Sequence, residues 1–112
     1  MPFLSVVVPT FNERSNVPVL VEHVAAALAG TDWELIVVDD HSPDGTADAV
    51  RAIAQGNTRV RCIERVGRRG LSSAVIEGIM SSSAPLVAVM DGDLQHDVRL
   101  LPRMLEALED PG

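Results

Sequence analysis

The segment "LVAVMDGDLQHD" at residues 86–97 carries residue types that suit metal chemistry. Five apolar residues lead directly into Asp91, Gly92 and Asp93, and Gln95 follows two positions later. Alternate side chains of an extended chain point the same way, so both carboxylates would lie on one side, and the glycine lets a ligand approach closely. Carboxylate and amide oxygens suit Mg²⁺ or Mn²⁺, which shares its coordination sphere with substrate phosphates. The segment therefore predicts a divalent-metal site on Asp91, Asp93 and Gln95.

Two features of this segment leave alternatives open. An Asp-Gly-Asp sequence is also ordinary turn chemistry, and its position at the end of a strand is what favours the metal site. His96 fits a metal ligand, a phosphate contact or a plain surface histidine equally well.

A second acidic pair, Asp39 and Asp40, follows the apolar run "ELIVV" at residues 34–38. Two neighbouring carboxylates repel each other unless a cation or a hydrogen-bond donor lies beside them. A nucleobase or a ribose would supply such donors, so the pair predicts a contact with a nucleotide. Capping of the following helix is the alternative, but capping would use only one of the two.

The basic cluster Arg65, Arg68 and Arg69 directly precedes a predicted helix that begins near Gly70. Guanidinium groups beside a helix N-terminus bind phosphate oxygens, because free N–H groups and the helix dipole add to their positive charge. The cluster predicts a diphosphate site, and a solvated loop that balances the acidic residues is the alternative.

Four apolar runs alternate with segments of helical periodicity, and this alternation predicts the fold. The runs occupy residues 4–8, 34–38, 59–63 and 86–90. The first predicted helix runs from a cap at Ser15 or Asn16 to Gly30, and the second contains Ala47, Val50 and Ala54 and ends at Gly56. Two more helices are predicted over 70–83 and 98–110. Continuous apolar strands belong to parallel sheets that are buried on both faces. We therefore predict an α/β fold with a Rossmann-like, open, mainly parallel sheet and helices on both faces.

Two further expectations follow from this fold. Ligands bind beyond the carboxyl ends of the strands in such sheets, and every polar cluster described above follows a predicted strand. Gly78, inside the third predicted helix, indicates close packing of that helix on the sheet.

Size and charge exclude several classes of protein. A chain of 112 residues predicts one domain, and a net charge of -7 without any lysine disfavours nucleic acid as a partner. No apolar run approaches the ~20 residues that span a bilayer. Cys62 is the single cysteine and cannot form an internal disulfide, which fits a reducing, cytoplasmic location.

Absent motifs narrow the enzyme class further. The chain lacks a Gly-x-Gly-x-x-Gly after the first strand, a Gly-Lys-Ser/Thr and a Gly-x-Ser-x-Gly, so dehydrogenases, P-loop enzymes and hydrolases lose support. A nucleotidyltransferase is one alternative, although the loop "PTFNERSN" has neither the glycine nor the lysine it would need. A noncatalytic, receiver-like module that binds Mg²⁺ is another, and it would require a lysine.

Four motifs in order resemble the nucleotide-binding half of family 2 glycosyltransferases with the GT-A fold: "SVVVPTFNE", "VVDDHSPDGT", "GLSSAVIEG" and "MDGDLQHD". Within that family, "DLQH" is most similar to dolichol- or polyprenol-phosphate mannosyltransferases. The resemblance implies a nucleoside pocket lined by Pro9, Phe11 and Glu13, with Asp40 and Asp39 at the base. It also implies that Arg69 and Gly70 lie near the diphosphate, and that the metal ligands Asp91, Asp93 and Gln95 include the catalytic residues Asp91 and Asp93.

The activity implied by this resemblance is the transfer of one sugar, with inversion, to a polyprenyl phosphate. The donor would be a nucleoside diphosphate sugar carrying mannose or glucose, with GDP-mannose favoured over a UDP-sugar. Complete members of the family are longer, so we expect residues 1–112 to be one nucleotide-sugar-binding domain of a longer, membrane-associated enzyme. We expect such a fragment to bind nucleotide weakly without turnover, and its fourth strand to offer an edge for a homodimer.

Overall fold

The computed structural model describes residues 2–67 and 70–90. Within them, four strands form one parallel sheet in the order β3-β2-β1-β4. The strands are β1 (Leu4–Thr10), β2 (Trp33–Asp39), β3 (Val60–Glu64) and β4 (Leu86–Val89). The predicted open, parallel, Rossmann-like sheet is therefore confirmed. The strand order changes direction at β1, and ligands of doubly wound sheets bind at such a switch point.

Three helices cover the sheet: α1 (Val17–Ala27), α2 (Thr46–Gly56) and α3 (Leu71–Ser81). Apolar residues of α1 and α2 pack with Val6 and Val8 of β1 in one cluster. Ala74 of α3 packs with Val7 on the opposite face. A short 3-10 turn, Arg14–Asn16, precedes α1. Helices on both faces confirm the predicted layering, and they explain why the central strands are apolar at consecutive positions.

Gly78 lies where α3 meets the sheet, as the sequence predicts. A Cβ atom on Gly78 would overlap the Cγ1 atom of Val7 and lie 3.2 Å from Cγ2 of Val38. Both valines are fully buried in the two central strands. The missing side chain therefore sets the distance between α3 and the sheet.

Helix α1 begins after the predicted cap position, Asn16, but ends earlier than predicted. It ends at Ala27, because Leu28 leaves helical geometry and the chain turns through Gly30 at a φ of 89°. Asn16 occupies the cap position, but its side chain donates to Glu13 and does not cap the helix. The predicted helix over 98–110 lies outside the described residues.

Strand β4 is one edge of the described sheet and is less buried than the other strands. Leu86 and Ala88 pack against the main core, while Val87 and Val89 are 37% and 44% exposed on the opposite face. The prediction of an edge at the fourth strand is confirmed for the strands that the structure describes. None of the helices within residues 2–67 and 70–90 has the length and apolar character needed to span a bilayer.

Candidate functional site

The loops that follow β1 and β2 are joined by hydrogen bonds at the carboxyl end of the sheet. The amides of Asn12 and Glu13 donate to the hydroxyls of Ser42 and Thr46, at 2.9 and 3.1 Å. The loops include two non-glycine residues in the left-handed region, Asn12 at a φ of 57° and His41 at 55°. Such conformations persist where surrounding contacts fix them. The two loops and the residues that flank them, which we call the rim (residues 10–16 and 40–46), therefore form one preorganised surface.

Asp39 is fully buried, and its carboxylate accepts hydrogen bonds from both loops of the rim. Its Oδ1 accepts from the hydroxyls of Thr10 at 2.8 Å and Ser42 at 2.6 Å, and its Oδ2 accepts from the Ser42 amide at 2.9 Å. The alternative that Asp39 or Asp40 caps α2 is wrong, because Gly45 occupies the N-cap position. The carboxylate of Asp39 is thus satisfied within the chain and links the ends of β1 and β2.

Asp40 points the other way and remains partly open, with 14% of its side chain exposed. Its Oδ1 lies 2.9 Å from Nε of Arg65, and its Oδ2 accepts from the Gly70 amide at 3.2 Å. Its own amide donates to the Thr10 carbonyl at 3.1 Å. Adjacent aspartates therefore have different environments, since side chains at the end of an extended strand alternate in direction.

Arg65 differs from the expectation for the basic cluster. Its side chain is fully buried, whereas a diphosphate site needs an accessible guanidinium. It lies just after β3, and the pairing of Asp39 with Glu64 places it next to Asp40. The contact between Arg65 and Asp40 was not predicted from the sequence, because it depends on the register between β2 and β3.

His41 lies in the loop after β2 and pairs with Glu64 of β3. Its Nδ1 lies 2.8 Å from Oε2 of Glu64, and Nη2 of Arg51 lies 2.9 Å from Oε1 of the same carboxylate. The hydrogen bonds from His41 and Arg51 lower the pKa of Glu64. In the rim, the hydrogen bond from the Thr46 hydroxyl likewise lowers the pKa of Asp44. Both carboxylates are therefore stabilised in their charged form.

The residues of the expected nucleoside pocket lie on the rim or directly beneath it. Pro9 is half-buried in β1, opposite Val38. Phe11 is 41% exposed, and Glu13 accepts a hydrogen bond from Asn16 at 2.8 Å. The structure thus brings Pro9, Phe11 and Glu13 to the same end of the sheet as Asp39 and Asp40.

The remaining predicted site residues lie outside the described residues, and their placement stays a prediction: Arg69, Asp91, Asp93, Gln95 and His96. Among residues 2–67 and 70–90, no group of three or more histidine, cysteine, aspartate or glutamate side chains could hold a metal ion. Met90, the last described residue of this segment, donates its amide to the Val7 carbonyl at 3.0 Å. The chain is therefore alongside β1 at the position before Asp91.

Comparison with known proteins identifies the family. The sequence model of Glycosyl transferase family 2 matches residues 5–112. The chain belongs to glycosyl transferase family 2. The resemblance stated from the four motifs is thereby confirmed, and the nucleotidyltransferase and receiver-like alternatives are excluded as family assignments.

Two curated relatives of this family 2 chain are named for lipid-phosphate substrates. The dolichol-phosphate mannosyltransferase of Pyrococcus furiosus is 40% identical over 107 residues, which is 96% of this chain and 30% of that protein. The dodecaprenyl-phosphate galacturonate synthase of Rhizobium johnstonii is 42% identical over 109 residues, 95% of this chain and 32% of that protein. The chain therefore spans about a third of the length of these relatives.

A solved structure shares the fold of this family 2 chain. It is the mannosyltransferase PcManGT from Pyrobaculum calidifontis, in complex with GDP-Man and Mn²⁺. The TM-score is 0.83 at 28% identity, over 98% of this chain and 33% of that chain. The described sheet is thus the Rossmann-like part of a GT-A glycosyltransferase.

Proposed function

We propose that this chain is the donor-binding part of a glycosyltransferase that moves a sugar from a nucleoside diphosphate sugar to a polyprenyl phosphate. The observation that carries the proposal is the preorganised rim, where the amide of the partly open Asp40 donates to the Thr10 carbonyl, one residue before the exposed Phe11. A carboxylate beside an aromatic ring suits a nucleobase, because the ring stacks on the base and the carboxylate accepts its N–H groups. The names of the relatives support the same assignment.

In this proposal the nucleoside lies on the rim, between Phe11 and Asp40, with Pro9 and Glu13 completing the pocket. Asp39 shapes the pocket through its bonds to Thr10 and Ser42. The diphosphate would lie near Gly70, where α3 begins, and the family resemblance adds Arg69 to this site. Phosphate groups bind at helix N-termini, because free N–H groups and the helix dipole attract them.

We further propose that Asp91, Asp93 and Gln95 hold Mn²⁺ or Mg²⁺ next to the diphosphate. Their donor set of two carboxylates and one amide oxygen fits either ion. A bound metal ion would neutralise charge that develops on the departing diphosphate. The Mn²⁺ in the complex of the structural neighbour supports a divalent metal. Asp91 and Asp93 would in this way be the catalytic residues of the chain.

For the substrates, we propose GDP-mannose as the favoured donor, with a UDP-sugar as the other candidate. GDP-Man in the structural neighbour and mannose in the name of the archaeal relative support this choice. A polyprenyl phosphate is already an anion, so the reaction needs no general base from this chain. Because such an acceptor resides in a membrane, the longer enzyme would act at a membrane surface, on its cytoplasmic face.

We also propose that two copies of the chain associate through β4. Its edge is unpaired within the described sheet, and Val87 and Val89 are exposed beside it. Exposed edges of this kind favour pairing with another strand. Sedimentation velocity should show a dimer at high concentration that Val89→Lys abolishes, and a monomer at every concentration would contradict the proposal.

The donor site is tested by isothermal titration of the chain with GDP, UDP and ADP, each with and without Mn²⁺. GDP with Mn²⁺ should bind most tightly, and Asp93→Ala should remove the effect of Mn²⁺. Asp40→Asn should weaken GDP binding by about tenfold, the typical loss for one charge-assisted hydrogen bond. Asp48→Asn is the matched control, because Asp48 is 87% exposed on α2 and lies outside the rim.

Two results would contradict the proposal. One is the absence of any nucleotide binding by the folded chain. The other is metal-independent binding that Asp93→Ala leaves unchanged, which would remove the metal assignment.

A further inference from the structure

Arg65 is the largest side chain that is fully buried among the described residues. Its Nε lies 2.9 Å from Oδ1 of Asp40 and 3.9 Å from Oε2 of Glu77. Burial of a guanidinium is unfavourable unless it is paired, and apolar residues of similar volume often replace buried ion pairs without loss of stability. Stability of the fold alone is therefore a weak reason for an arginine at this position.

The position of Arg65 gives a stronger reason. Its amide donates to the Asp39 carbonyl at 2.8 Å, which fixes the end of β3 against β2. Its guanidinium forms an ion pair with one oxygen of Asp40 but no hydrogen bond among the described residues, while the Gly70 amide donates to the other oxygen at 3.2 Å. The Asp40 carboxylate is thus held on two sides, between the end of β3 and the start of α3.

We propose that Arg65 is a positioning residue for the nucleotide site and acts on a bound nucleotide through Asp40. The inference rests on the proposed function, since it assumes that Asp40 contacts the nucleotide. A fully buried guanidinium has no exposed surface with which to touch a ligand directly. Its contribution is to fix the Asp40 carboxylate in advance, which lowers the entropy lost on binding.

The test is a double-mutant cycle on the dissociation constant of GDP in the presence of Mn²⁺. Arg65→Lys keeps the charge but loses the planar group that orients the carboxylate. We expect Arg65→Lys to weaken GDP binding by about tenfold, a typical coupling for residues in contact. In the Asp40→Asn background the same substitution should change the constant by less than about twofold, because its effect passes through Asp40.

Glu77→Gln is the matched control. It alters the second carboxylate near the same guanidinium while keeping its shape, and Glu77 lies farther from Nε than Asp40 does. GDP binding by Glu77→Gln should stay within about twofold of the unmodified chain, because the contact between Arg65 and Asp40 is kept.

Two outcomes would overturn the inference. One is a lower melting temperature of Arg65→Lys with unchanged GDP affinity, which is the mark of a merely structural residue. The other is multiplication of the Arg65→Lys and Asp40→Asn effects, which is the mark of independent action.

If Arg65→Lys does not fold, Arg65→Met combined with Asp40→Asn removes both charges of the pair together. An affinity equal to that of Asp40→Asn supports the inference, and a further loss overturns it. Absence of nucleotide binding by the unmodified, folded chain contradicts the proposed function, and the positioning role with it.

Discussion

Replacement of Gly78 by alanine should destabilise the protein, although alanine is the better helix former. A Cβ atom at this position would overlap Cγ1 of Val7 and lie 3.2 Å from Cγ2 of Val38. Both valines are fully buried in the two central strands, so neither can move without disturbing the sheet. Helix α3 must therefore shift outward, or the side chain of Val7 must leave its preferred rotamer.

Two opposing contributions set the size of the effect. Alanine in place of glycine inside a helix stabilises it by about 1 kcal/mol. Overpacking of a tight core costs about 1–3 kcal/mol, and the central position of Val7 favours the upper end. We expect a net loss of about 2 kcal/mol in the free energy of unfolding, equivalent to a decrease of about 8–16 °C in the melting temperature.

Urea unfolding followed by circular dichroism measures this loss, and Gly56→Ala is the matched control. Gly56 is the last residue of α2, and a Cβ atom there meets nothing within 4 Å. Gly56→Ala should therefore be neutral or stabilising by up to ~1 kcal/mol. If Gly78→Ala stabilises the protein as much as Gly56→Ala does, the argument that Gly78 sets the distance between α3 and the sheet is refuted.

Three further predictions concern Cys62 and Glu64 of β3 and Thr10 of the rim. Burial raises the pKa of the Cys62 thiol to about 11, so iodoacetamide should modify it about a hundredfold more slowly at pH ~8 than in urea-unfolded chain, and equal rates would contradict this. The pKa of Glu64 is lowered in the folded state by hydrogen bonds from His41 and Arg51, so stability should fall as the pH drops through its titration. Glu64→Gln should flatten urea midpoints measured between pH ~6 and ~3, and an unchanged profile would argue against the contact. Thr10→Val removes one donor to buried Asp39 and should lower the free energy of unfolding by about 1 kcal/mol, whereas a more stable variant would show that the bond is unimportant.

Much of the fold could be predicted because the strands are buried on both faces. Consecutive valines in β1 and β2 are typical of the centre of a parallel sheet, and the structure places them there. The end of α1 was less predictable, because Gly30 marks a turn that starts at Leu28, before the glycine itself. Glycine signals that a helix stops nearby, but backbone geometry decides the residue at which it stops.

The site was predictable in its location but only partly in its contacts. Polar residues after parallel strands indicate the carboxyl edge, and the rim lies there. The sequence could not separate the roles of Asp39 and Asp40, which depend on alternating side-chain direction at the end of β2. The pairing of Asp40 with Arg65 depends on the register between β2 and β3, which local patterns do not specify.

The most direct test of the account is a map of the amides that respond to nucleotide. In a ¹H–¹⁵N spectrum of the chain with GDP, the amides of Asn12, Ser42 and Gly70 should shift, because they lie at the carboxyl end of the sheet. Addition of Mn²⁺ should then broaden the same resonances. The amides of Thr31 and Asn57, which precede β2 and β3 at the opposite end, should remain unchanged. Shifts confined to Thr31 and Asn57, or no shifts at all, would contradict a nucleotide site on the rim.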